Sequence, residues 1–214
     1  MDRQTCYNKV LAIFICAVAG FSDSVGFLST DGLFVSFMSG NTTTLGSGII
    51  TGNSKTITAG ALIVCFTGGV VGGASLGRLL RAYKTAAILS LATAFLTGAW
   101  AAYRLGFCGF AVFPIAVAMG VQNTVFVGPG DVKVGLTYVT GALVALGKGI
   151  SGMVWDGKTL GLAPLYLWLS LLTGAAFGSR AFKHWGLNAL MPAIVVMCIL
   201  VLTSAVSAAL RVRS

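Results

Sequence analysis

The sequence predicts an all-α polytopic membrane protein made of two structural repeats, inverted relative to one another, each with three spans and one broken or re-entrant element. Three observations carry that expectation: a composition too apolar for a soluble domain, a chain punctuated into apolar segments, and an internal repeat offset by about a hundred residues.

Of the 214 residues, 57% are hydrophobic and only 9% are charged, with a mean hydropathy of +0.93. A soluble domain carries about 25% charged residues. A spanning helix takes about 20 apolar residues, because only a fully hydrogen-bonded backbone tolerates hydrocarbon. The length therefore accommodates roughly six to eight membrane segments and no sizeable soluble domain. Nucleic-acid binding and soluble catalysis are disfavoured, and the bilayer is the first expected partner. The net charge of +9 is read as an orientation signal, since the Lys and Arg residues sit mostly between apolar segments. The five cysteines, Cys6, Cys16, Cys65, Cys108 and Cys198, show no CxxC or His spacing, so no disulfide framework, metal site or cofactor is expected.

The apolar elements run at 9–28, 33–50, 57–78 and 86–104 in a first repeat (1–105), and at 107–127, 134–152, 161–180 and 188–210 in a second (106–214). The first begins after Arg3 and Lys9 and holds Ala17, Val18 and Ala19, a loose match to a cleavage site. The repeat runs through it, which argues that it stays in the mature protein. The second holds the uncharged stretch FVSFMSGNTTTLGSGI (34–49), whose part SFMSGNTTTLGSGI (36–49) aligns with TYVTGALVALGKGI (137–150). Upstream, AGFSDSV (19–25) lies over MGVQNTV (119–125), placing Asp23 on Asn123. Downstream, FTGGVVGG (66–73) lies over LTGAAFGS (172–179). Gly68, Gly69, Gly72, Gly73 and Gly77, with Gly174 and Gly178, read as small-residue packing faces.

Eight crossings divide Lys and Arg eight to six between the two sides, whereas six crossings with re-entrant second elements divide them ten to four. The positive-inside rule prefers six, with both termini cytoplasmic. Three crossings per repeat make the repeats inverted, the arrangement common in secondary transporters, and bring the two Gly-rich second elements together near the midplane.

Asp23 is the carboxylate set well inside an apolar segment; Asp2, Asp31, Asp131 and Asp156 fall in terminal or connecting stretches. Burying an ionised aspartate costs about 2.5 to 3.5 kcal/mol on insertion scales, close to the roughly 4 kcal/mol for protonating it at neutral pH. That balance suits a proton- or cation-coupled site. Ser39, Gly40, Asn41 and Thr42 supply hydroxyls, an amide and a turn into a helix start that favours an anion or a polar oxygen. Bonding of those groups across helices, or back to their own backbone, stands beside that reading. Gln122 and Asn123 form an amide pair opposite Ser22 and Asp23, and Thr140 with Gly141 repeats Ser39 with Gly40. GPGDVKVG (128–135) reads as a connector, and His184, beside Arg180, Lys183 and Trp185, as an interfacial anchor.

The blocks GFSDSVGFL and FVSFMSGNTTTLG, followed by AMGVQN and TYVTGAL, resemble the YoaK-like family of uncharacterised bacterial membrane proteins, the domain of unknown function 1275. The resemblance covers nearly the whole chain. It implies a bacterial cytoplasmic-membrane protein of about six or seven spans, with no established substrate. It implies that Asp23, Gly40, Asn41, Gln122, Asn123, Thr140 and Gly141 hold the family's recurrent polar and glycine positions. Many relatives carry a basic residue shortly after the QN pair, where this chain has Val125, Phe126 and Val127. Asp23 then has only the more distant Lys133 and Lys148 as cationic partners, which favours protonation or a bound cation.

The expected function is a small secondary transporter of a polar or anionic solute, coupled through Asp23. The alternatives are a channel-like pore and a non-transporting assembly protein. With no nucleophile–base pair or metal cluster, an enzyme is not expected. A homodimer is compatible with the small size of each chain.

Overall fold

The computed structural model describes residues 3–126 and 139–213, with side chains over 7–126 and 140–211. The connector at 128–135, with Lys133, lies outside the described residues. Every regular element among the described residues is helical: α1 (Arg3–Ser29), α2 (Met38–Thr51), α3 (Thr56–Leu79), α4 (Lys84–Arg104), α5 (Val112–Gln122), α6 (Val139–Asp156), α7 (Ala163–Trp185) and α8 (Leu190–Arg213).

Four stretches are long and apolar enough to cross a membrane: Tyr7–Ser29, Thr56–Leu79, Arg81–Arg104 and Ala163–Arg211. The last is 49 residues long and divides into α7 and α8 at a 3-10 turn, Gly186–Ala189, where Gly186 takes a positive φ of 54°. Cys108–Gln122 is a shorter apolar helical stretch. With 14 residues, α2 extends about 21 Å, less than the roughly 30 Å hydrocarbon core.

Two crossings hold the bundle together, α1 on α7 and α3 on α5, and glycines form both. A Cβ on Gly174 would lie 2.0 Å from the Ala17 carbonyl oxygen, and one on Gly20 would lie 2.1 Å from that of Leu171. On the other crossing, a Cβ on Gly69 would lie 2.2 Å from the Val117 oxygen, and one on Gly120 would lie 2.0 Å from that of Phe66. Gly178 on Phe21 and Gly73 on Val121 complete the match. Each α1 position corresponds to an α5 position a hundred residues on, and each α3 position to an α7 position 105 residues on. The contacts thus pair Gly69 with Gly174, one residue from the sequence alignment. Gly68 and Gly72, expected to belong to the packing face, have no such neighbour within 4 Å; Gly69, Gly73 and Gly77 are the buried set.

Around these crossings, α4 packs on α5 and α8, and Ile15, Leu89, Leu96, Ile115, Met119, Leu190 and Met197 fill the core. The expectation that α2 and α6 meet near the midplane is overturned. Among the described residues α2 packs on α3 and α6 on α7, with no contact between α2 and α6. The backbone-close crossings occupy the centre, so the second elements lie outside them, and α2 leaves Ile49 and Ile50 exposed. Nor is α2 itself broken; the irregular backbone precedes it, at residues 30–37.

The link from α1 to α3 begins and ends at one end of the bundle. At the start of α3, Lys55 Nζ donates to the backbone oxygen of Asp31, just beyond the end of α1. A tight corner makes this return: α2 ends at left-handed Gly52, whose N–H reaches the Gly48 oxygen at 2.9 Å, and Asn53 Oδ1 accepts the Lys55 N–H at 2.9 Å. Gly48 lies against Thr56 at this corner, as Gly149 lies against Leu160 where α6 turns into α7.

Adding a methyl group at either crossing must separate two helix backbones. Gly174→Ala and Gly120→Ala are expected to lower the unfolding free energy by about 1 to 3 kcal/mol. Gly68→Ala, facing open space, is expected to stay within about 0.5 kcal/mol. Denaturant unfolding of the purified protein in detergent distinguishes the two classes.

Candidate functional site

The polar residues predicted in the first repeat organise the irregular segment between α1 and α2. Thr30 ends α1 by donating to the Gly26 oxygen at 2.8 Å and accepting the Leu33 N–H at 3.1 Å. Asp31 (φ 53°) and Gly32 (φ 117°) then reverse the chain, a conformation that Asp tolerates and Gly favours. The chain folds back against α1, and Gly26 makes room for it: a Cβ there would lie 2.5 Å from Val35 Cγ1.

Irregular backbone in a packed bundle has N–H and C=O groups that need partners. Asp23 and Asn41 supply them. Asp23 Oδ1 accepts the N–H groups of Val35 and Ser36, each at 2.8 Å. Asn41, fully buried, accepts the Phe34 N–H on Oδ1 at 2.9 Å and donates from Nδ2 to the Phe34 oxygen at 2.6 Å. This pairing fixes which end of the amide is which. Asp23 precedes the end of α1 by six residues, about 9 Å of helix, so the segment dips to that depth before α2 starts. No described Lys or Arg pairs with Asp23, whose described partners are the peptide groups that follow it and the Ser36 hydroxyl.

Aromatic rings close over the clip. Phe27 and Phe34 pack at a 42° tilt with centroids 4.9 Å apart, and Phe34 meets Phe37 edge-on at 5.2 Å. Gly40 has a steric part here, since a Cβ would lie 2.9 Å from both the Phe34 and Phe37 rings. The hydroxyls of α2 turn inward on their own helix: Thr42 donates to the Met38 oxygen at 2.8 Å, Thr43 to Ser39 at 3.2 Å and Thr44 to Gly40 at 3.2 Å. Ser39 and Thr42 are exposed.

The second-repeat residues sit apart from this clip. Gln122 belongs to the packing of α5 on α1, where its Nε2 donates to the Ile15 carbonyl at 3.1 Å. Its Oε1 is buried with no partner among the described residues. Asn123 Nδ2 donates to the Met119 oxygen of its own helix at 2.8 Å. Thr140 is exposed and Gly141 half-buried in the first turn of α6. The structure therefore joins Asp23, Gly40 and Asn41 in one cluster and places Gln122 at a helix crossing. Two features escaped the candidate set: the peptide groups of residues 34–36, invisible to a side-chain reading, and Ser22, buried with an unpartnered Oγ. Ser22 was findable, because the repeat lays it over Gln122.

The family described as "Protein of unknown function (DUF1275)" matches residues 11–203. The chain belongs to the DUF1275 family. It is also similar to a UPF0700 transmembrane protein of Rhizobium meliloti (strain 1021), 31% identical over 185 residues that cover 86% of this chain and 80% of that protein. No solved structure matches it. Family membership and the apolar helices together make this DUF1275 chain a transmembrane protein.

In this DUF1275 protein, removing either clip residue orphans peptide groups in the bundle. Asn41→Leu and Asp23→Ala are each expected to destabilise it by about 1 to 3 kcal/mol. Thr42→Val, which loses a bond to its own exposed helix face, is expected to stay within about 0.5 kcal/mol. Thermal unfolding in detergent provides the comparison.

Proposed function

We propose that the protein is a small secondary transporter with inverted repeats in the bacterial cytoplasmic membrane, moving a small polar or anionic solute by alternating access. The observation that carries this reading is the exchange of partners between repeats. First-repeat α1 packs on second-repeat α7, and second-repeat α5 on first-repeat α3, with the same glycine-to-carbonyl contacts. Two equivalent, exchanged interfaces suit a machine that rocks between two equivalent states.

Two further observations support inversion. The Lys55 contact with Asp31 returns the chain to the end of α1 that it left, as a re-entrant second element requires. In addition, Gln122 meets Ile15, and a two-fold relation between the repeats would set position 22 opposite position 115. Contacts that ascend one helix while descending the other belong to antiparallel helices, and antiparallel α1 and α5 are what three crossings per repeat produce.

Within this reading Asp23 is a latch as well as a proton or cation site. Its carboxylate holds the connecting segment against α1, so a change in its charge alters the hold of α1 on α2. Ser39 and Thr42, on the exposed face of α2, remain the groups placed to meet a solute. The engagement of the Asn41 amide by Phe34 and the Met38 sulfur favours a second reading, an assembly protein whose polar groups serve packing alone.

Purified protein in liposomes is expected to show saturable solute uptake that depends on a pH gradient. Asp23→Asn should remove that dependence while leaving the protein folded, and unchanged gradient-driven uptake in the variant would sink the coupling. Conductance without saturation indicates a pore, and no flux across a broad solute panel indicates the assembly role. For topology, a cysteine at Asn53 is expected to react with an impermeant thiol reagent from the periplasmic side; labelling from the cytoplasm alone would restore eight crossings.

A further inference from the structure

Among the described residues, two buried side-chain atoms lack a hydrogen-bond partner: Ser22 Oγ and Gln122 Oε1. The residues are 0% and 1% exposed, and the internal repeat aligns one with the other. Folded proteins pair nearly all such atoms with protein or an ordered molecule. An orphan pair at equivalent positions therefore points to something that both touch.

The helix geometry brings the two toward each other. Gln122 Nε2 lies 3.1 Å from the Ile15 carbonyl of α1. Helical carbonyls point toward the C-terminus, so the carboxamide sits on the Ser22 side of Ile15. Ser22 is seven residues further on, two turns along the same face and about 10 Å away. Its Cα–Cβ bond leans back toward the N-terminus, toward the amide. Measured along the α1 axis, roughly 5 Å remains between the amide and the hydroxyl after the bond length and that lean. Ala19, with its single methyl group, lies between them on this face of α1.

The chemistry of the two atoms is complementary. The Gln122 amide is oriented by its bond to Ile15, so Oε1 can only accept. The Ser22 hydroxyl can donate. The asymmetry follows from side-chain length: Gln122 spans to the opposite backbone, and the shorter serine does not, which leaves its Oγ without a partner among the described residues.

We propose that Ser22 and Gln122 form one binding position at the α1/α5 crossing for a small uncharged solute that carries both N–H or O–H donors and an acceptor oxygen, of the size and kind of urea. The solute donates to Gln122 Oε1 and accepts from Ser22 Oγ–H. This rests on the transporter reading and names its solute class and its position between the repeats.

The test uses the full chain in liposomes, with urea influx followed by stopped-flow light scattering alongside water permeability. The wild type and a Gly68→Ala control are expected to admit urea well above protein-free vesicles. Ser22→Ala and Gln122→Leu each remove one bond to the solute and are expected to lower influx about tenfold. Ser22→Gln supplies from α1 the amide that α5 already carries; it occupies the proposed position and should block influx, with thermal unfolding in detergent showing that the variant is folded. Urea influx equal in all variants overturns the site while leaving transport standing. A change confined to water permeability shows that the position holds water only, and overturns the solute assignment. Absence of saturable flux of any solute in the wild type overturns both the site and the transporter reading.

Discussion

The structure depends on how closely two pairs of helices can approach. At Gly20 and Gly174 on one crossing, and Gly69 and Gly120 on the other, the position of a missing Cβ falls about a bond length and a half from a carbonyl oxygen of the opposing helix. Inside a bilayer, lipid tails offer no hydrophobic reason for helices to associate, so close packing and interhelical contact supply the attraction. Backbones at this separation leave no space between them for a side chain. Everything else is arranged around that centre: α4 and α8 close the sides, and α2 and α6 are excluded to the periphery.

This exclusion accounts for the clip. A second element that cannot reach the centre must still be tethered, and the segment before α2 has no helical bonds of its own. Asp23 from α1 and Asn41 from α2 satisfy its peptide groups, while Phe27, Phe34 and Phe37 cover them. Asp23, Gly40 and Asn41 thus share one task, holding the irregular segment before α2, while Ser22 and Gln122 are left with unmatched atoms. In the second repeat Gln122 reaches across to Ile15, where Ser22 in the first is too short to do the same. The repeats share a backbone plan and differ in what their polar positions can do.

Much of this was readable in the residues. Apolar segment lengths foretold the long helices, and the three aligned blocks lay α1 over α5 and α3 over α7. The importance of Asp23, Gly40 and Asn41 was also visible, because an uncharged polar stretch between apolar segments needs partners. Their roles were not. A carboxylate and an amide look alike as ligand groups and as partners for peptide groups, and the choice depends on whether an N–H lies 2.8 Å away. Likewise, Gly68 and Gly69 are equivalent in composition, and helix rotation alone decides which one meets a backbone.

The sequence by itself determined the class of protein, the helical elements, the repeat and the small set of polar positions inside it, because hydropathy and self-similarity are properties of the chain alone. Tertiary structure decided which glycines carry the crossings, that α2 and α6 do not meet, that Asp23 and Asn41 hold backbone, and that Ser22 and Gln122 are left with unmatched atoms. Those outcomes turn on distances of a few tenths of an ångström and on the rotation of one helix against another. Such quantities exist only once the helices are packed.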